Sequence, residues 1–201
     1  MTRRLTSARA RAGFTLLEVL IAITILGMIA ANVVMVTRSS SKAYESGASL
    51  STLDIQLDNT MDRIAMALMA ARKESLTPNN PSPLWTDFLI FDQSQGFEGG
   101  MEVIGDLERI ELVPGPEQIV WKQRPGALDE RRVVWTNWVR ELFKDEIDNG
   151  IDDDLNGLTD EAGLSFTIDG SRVTIRLTLE RDGPEHSILK RTQETTVTCR
   201  N

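Results

Sequence analysis

Apolar residues fall along this chain in three successive rhythms. From Phe14 to Val36 they are nearly continuous, 23 residues in which Glu18 is the only charge. At about 1.5 Å per residue, a helix of that length crosses a hydrocarbon core of roughly 30 Å. From Leu50 the apolar positions thin to one in three or four, at Leu50, Leu53, Leu57, Met61, Ile64 and Leu68, which lines one face of an α-helix. Nothing breaks this pattern before Thr77-Pro78, so the two stretches predict one helix from Phe14 to about Arg72, close to 90 Å long. Its membrane half covers 14–36 and its amphipathic half 37–76. Gly27, Asn32 and Gly47 are soft points where such a helix bends. A loop at Ser39-Ser40-Ser41 would instead divide it in two.

The third rhythm follows TPNNPSP, residues 77–83, a turn-rich linker. Val173, Ile175, Leu177 and Leu179 alternate with Thr174, Arg176 and Thr178, giving a strand with one apolar and one polar face. Leu164, Phe166 and Ile168 alternate likewise, and Asp169-Gly170 between the runs reads as a two-residue hairpin turn. Further strands are expected over 88–91, 109–113, 119–122, 132–138 and 195–199. The expected fold class is therefore α+β, a long N-terminal helix packed on an antiparallel sheet in a β-rich head, residues 84–201.

Charge adds direction. Arg3, Arg4, Arg9 and Arg11 precede the apolar run, whereas Arg38 and Lys42 after it are followed by Glu45. The positive-inside rule puts the N-terminus in the cytoplasm and the head on the far side. The whole chain of 201 residues carries a formal charge of -8, with a pI near 4.8, and loss of residues 1–13 would make it more acidic by four. Such a balance excludes a nucleic-acid-binding surface. A cleaved secretory signal would have a shorter apolar core ending in small residues such as Ala30 and Ala31, but here the run resumes with Val33, Val34, Met35 and Val36.

A carboxylate within an apolar span is costly unless paired, and the residues around Glu18 suggest its partner. Gly13-Phe14-Thr15-Leu16-Leu17-Glu18 resembles the N-terminal signature of type IV pilins and the pseudopilins of type II secretion systems. The resemblance implies a basic leader, residues 1–13, removed after Gly13 by a prepilin peptidase, with the new N-terminus at Phe14 then N-methylated. It further implies that the Phe14 amine pairs with Glu18 of a neighbouring subunit during assembly. An unpaired ion in an apolar bundle would then penalise any slipped register. The implied partners are other pilin or pseudopilin subunits, the peptidase, membrane lipid and an inner-membrane assembly platform. The implied location is the bacterial inner membrane, single-pass, with a periplasmic head. The order of elements and the length resemble a J-type minor pseudopilin near the fibre tip.

Lys144 to Gly163, KDEIDNGIDDDLNGLTDEAG, is the second informative stretch. Between Asp145 and Glu161 it holds eight acids and no basic residue, so the loop repels itself without a counter-ion. Asp152-x-Asp154-x-Asn156-Gly157 sets oxygen ligands at alternate positions with a glycine at the sixth, and Asp160 falls at the ninth, as in an EF-hand loop. The pattern then fails, because the twelfth position is Gly163 instead of a bidentate glutamate. Asp148 or Glu161 would have to complete the shell. An all-oxygen set with no cysteine or histidine nearby favours calcium; the same acids also read as a solvated loop that keeps the head soluble.

The remaining chemistry-bearing residues point away from catalysis. His186, in RDGPEHS, reads as a surface loop residue, and the chain has no G-x-S-x-G. Trp85, Trp121, Trp135 and Trp138 read as core or interface fillers, and Cys199 as a buried small apolar residue. The expectation is a non-enzymatic assembly subunit. Its rival is a membrane-anchored calcium-binding adhesion protein that never polymerises.

Overall fold

The computed structural model describes residues 15–79, 81–82, 84–184 and 187–200. The predicted leader, Gly13, Phe14 and His186 lie outside the described residues. One long apolar helix is followed by an antiparallel β head, the α+β layout expected from the sequence. The chain divides into two compact units after Glu45, and helix α1, Leu16–Ala70, contributes to both.

In the first unit α1 is uninterrupted. Gly27 and Asn32 lie within it, as does Ser39-Ser40-Ser41, so no loop divides the helix there. Polar residues in this apolar stretch bond back to the preceding turn: Thr24 Oγ1 donates to the Ile21 carbonyl at 2.8 Å, Asn32 Nδ2 to Met28 at 2.9 Å and Thr37 Oγ1 to Val33 at 2.8 Å. Each such bond satisfies a polar group that hydrocarbon could not.

In the second unit, α1 buries Leu53, Leu57, Thr60, Met61, Ile64 and Leu68, the face that the three-and-four spacing predicts, while Leu50 is half-buried. The helix ends at Ala70, earlier than the expected Arg72, because the chain there turns to pairing: Ala71 bridges Gln93 and Arg72 bridges Arg200. Against α1 pack Leu89 and Phe91 of β1 (Phe88–Phe91), Ile110 of β4 (Glu108–Val113), Ile119 of β5 (Gln118–Gln123), and the inward residues of β7 (Leu164–Asp169), β8 (Arg172–Asp182) and β9 (Ile188–Thr198). With β6 (Arg131–Thr136), the sheet orders are β1-β4-β5-β6 and β7-β8-β9, every pair antiparallel.

Four details differ from the sequence reading. Thr77 is not free linker, since its backbone exchanges hydrogen bonds with Ile90 at 2.7 and 2.9 Å. The β7–β8 turn is Gly170-Ser171 instead of Asp169-Gly170, because Asp169 pairs with Arg172; Gly170 at φ 64 takes the left-handed position. An unforeseen hairpin joins β2 (Ser94–Glu98) to β3 (Met101–Ile104) through Gly99-Gly100, both at positive φ. Finally, β6 stops at Thr136 and β9 begins at Ile188, seven residues before the predicted strand, paired with β8 along its whole length. Thr174–Thr196 and Thr178–Thr192 hydroxyl pairs at 3.0 and 2.9 Å, with Arg176–Glu194 at 3.2 Å, tie β8 to β9.

The acidic stretch leaves and rejoins the sheet at one place. β7 covers β8 only as far as Leu177, and beyond that point the segment 138–140 takes over. Val139 bridges Leu179, Arg140 N–H donates to Thr178 O, and Glu180 N–H to Trp138 O. Residues 144–163 are therefore an excursion whose two ends meet beside β8, closed by the Leu142–Ala162 bridge.

Candidate functional site

At the start of α1, Thr15 caps the helix. Its Oγ1 and its carbonyl both accept the Glu18 N–H, at 3.3 and 3.1 Å. Thr15-x-x-Glu18 is the capping-box spacing, and the acid in the first turn faces the positive end of the helix dipole. Local chemistry thus favours both a helix start and a carboxylate here. The side chains that follow are exposed, Leu16 at 85% and Met35 at 71% among them. The helix is apolar and long enough to cross a membrane, with none of its apolar window buried. That exposure asks for a lipid or protein surround, and the segment reads as a membrane anchor.

The acidic loop is organised from within by carboxylates. Glu146 is fully buried and accepts three backbone N–H groups: Asp153 at 3.1 Å and Asp154 at 3.2 Å on Oε1, and Asp160 at 3.0 Å on Oε2. Asp152 accepts from Asn156 N–H at 3.1 Å and Gly157 N–H at 2.8 Å. Asp154 also accepts from Asn156 N–H, and its Oδ2 lies 3.5 Å from Lys144 Nζ. One carboxylate oxygen from each of Glu146, Asp152 and Asp154 lies within 4.8 Å of the other two.

Of the residues picked from the sequence as ligands, Asp152 and Asp154 are thus brought together. Asp148 is exposed. Asp160 turns its two oxygens to the Asn149 and Gly150 N–H groups, at 3.0 and 2.8 Å. Asn156 presents its Nδ2 to Glu161 Oε1 at 2.6 Å, a donor where a ligand oxygen was expected. Glu161 is fully buried, and its Oε2 has no hydrogen-bond partner among the described residues. Burial pushes its carboxyl above the usual glutamate range, against the Asn156 hydrogen bond, and the fields of Glu146 and Asp154 push the same way. Glu146 was not chosen from the spacing, because nothing local marks it as the buried acid of its group.

Gly163 explains why the EF-hand pattern fails at its twelfth position. A Cβ there would lie 1.8 Å from the Arg140 carbonyl oxygen, so no side chain fits where the two ends of the loop meet. Trp85 Nε1 donates to Thr159 O at 2.9 Å and holds the loop from outside. Trp121, Trp135 and Trp138 pack against the core, and Cys199 is buried with its thiol pushed up to about 11 by that burial.

No curated protein and no solved structure matches the chain. Residues 8–31 match the family model described as the prokaryotic N-terminal methylation motif, a span that includes Gly13, Phe14 and Glu18. The chain carries, on an apolar helix of membrane-crossing length, the N-terminal motif of pilin-like precursors, which are structural subunits.

Proposed function

We propose that this chain is a non-enzymatic minor subunit of a type II secretion pseudopilus or a type IV pilus-like fibre. The observation that carries the proposal is the methylation motif over residues 8–31, set on an apolar helix that continues into a sheet-packed half. In this reading a prepilin peptidase cuts after Gly13 on the cytoplasmic face of the inner membrane, and Phe14 is N-methylated. Glu18, one helical turn and about 6 Å along the axis from Phe14, pairs with the Phe14 amine of the neighbouring subunit. The membrane, the assembly platform and the other pilins are the partners. A helix leading into a meandering sheet with a long last strand supports a J-type subunit near the tip.

The test is the intact mass and N-terminal residue of the chain recovered from membranes of cells that carry a prepilin peptidase. The expected start is methylated Phe14. Glu18→Ala should insert and be processed but drop out of assemblies containing the other subunits. An unprocessed start, or one near Ala31, would overturn the reading.

A further inference from the structure

Three carboxylates within 4.8 Å of one another, Glu146, Asp152 and Asp154, repel strongly, and the ion pair found with them among the described residues is Lys144 Nζ to Asp154 at 3.5 Å. Their spread matches the separation of oxygens on one calcium ion, roughly up to twice a bond of about 2.4 Å. An acidic cluster held by backbone N–H groups would be stable on its own, so proximity alone decides nothing. The deciding feature is Glu161. It is fully buried, its Oε1 is held by Asn156, whose own N–H binds Asp152 and Asp154, and its Oε2 meets no partner among the described residues. A buried carboxylate oxygen left unmatched keeps the full desolvation penalty of a charged group, and a hard cation next to it removes that cost. The N–H bonds do not block the other oxygens, because each carboxylate has about four lone-pair sites.

We propose that Glu146, Asp152, Asp154 and Glu161 form a calcium-binding site that locks the 144–163 excursion onto β8. Glu161 takes the role that the twelfth residue has in an EF-hand, two positions early, because Gly163 must pass against the Arg140 carbonyl. Asp148 and Asp160 stay outside the shell. The ion closes the loop next to the Phe143–Glu161 backbone bond of 2.8 Å, which fixes one shape for the surface carrying exposed Ile147, Ile151 and Leu155. This site does not depend on how the N-terminal helix is processed.

The test uses the full chain in detergent. Terbium added alone should give emission sensitised by Trp85, which is hydrogen-bonded to the loop at Thr159, and calcium should displace it with a Kd of about 10⁻⁴ to 10⁻³ M. About 5 mM calcium should raise the thermal midpoint by roughly 5 °C over EGTA. Asp152→Ala with Asp154→Ala should abolish both signals. Glu161→Gln, which keeps the shape, should weaken calcium about tenfold or more without lowering the midpoint in EGTA, whereas Asp148→Ala should change neither. Equal midpoints in calcium and EGTA with no saturable terbium emission, or parental affinity in Glu161→Gln, would overturn the site.

Discussion

Replacing Gly163 by alanine puts a methyl group where two backbones meet. Its Cβ would stand 1.8 Å from the Arg140 oxygen, 2.8 Å from the carbonyl carbon and 3.2 Å from Val139 Cγ1, none of which is the end of a flexible side chain able to swing away. Restoring an ordinary contact of about 3.5 Å requires the strands to part by more than an ångström. Four backbone bonds cross or flank that spot: Gly163 N–H to Glu141 O (2.9 Å), Thr178 N–H to Gly163 O (2.8 Å), Arg140 N–H to Thr178 O (3.0 Å) and Phe143 N–H to Glu161 O (2.8 Å). Losing two to four of them at about 1 kcal/mol each gives a destabilisation of about 3 kcal/mol, or roughly 6–12 °C in midpoint for a head of this size. The assay is thermal unfolding of the full chain in detergent with EGTA, followed by near-UV circular dichroism. Gly150→Ala is the control. Gly150 has φ 76 and no atom within 4 Å of its added Cβ, so only the left-handed backbone penalty of about 1–2 kcal/mol applies. A midpoint for Gly163→Ala within about 2 °C of the parent, or a larger loss in the control, would refute the steric argument.

Two further outcomes test the packing and the charge pairing of the head. Ile64→Ala, at a fully buried position of α1 in the main core, should cost about 2–5 kcal/mol. Met66→Ala on the exposed face of the same helix should stay within about 0.5 kcal/mol of the parent by chemical or thermal unfolding. Asp92→Asn should lower the midpoint at neutral pH, because Asp92 accepts Arg72 Nε at 2.6 Å and Nη2 at 3.0 Å. That guanidinium holds the Asp92 carboxyl below its ordinary 3.8. A lowered folded pKa means the contribution is present above the unfolded value and is lost as pH falls through the folded one. The gap between parent and variant should therefore persist down to about pH 4 and close below it; a gap that remains undiminished at pH 2 would contradict the pairing.

The long helix and the β7–β8 hairpin were legible because their causes are local. A helix face repeats every three or four residues and a strand face every two, and both periods are written in consecutive side chains. Thr15 and Glu18 likewise carry their capping chemistry within one turn. The β2–β3 hairpin had a local signal too, Gly99-Gly100, but its strands, SQGFE and MEVI, show no clean alternation. β9 escaped for a related reason: its residues before Val197 are mostly polar, since the strand alternates between exposed and half-buried positions and is held by pairing to β8.

The acidic loop divides along the same line. Its charge, its glycine turns and the pairing of Asp152 with Asp154 are properties of neighbouring residues, so the sequence alone marked the segment as a candidate cation loop. Which acids face inward was decided elsewhere. Glu146 and Glu161 are buried because the excursion begins and ends beside one strand, β8, which brings residues 141–143 against 161–163. Gly163 is a glycine because the Arg140 carbonyl occupies the space of a side chain. Linear order could determine the apolar helix of membrane-crossing length, its capped start and its N-terminal methylation motif, since those depend on residues within a few turns. The ligand set and the closure of the loop depend on contacts between distant segments, and only the packed sheet specifies which of them meet.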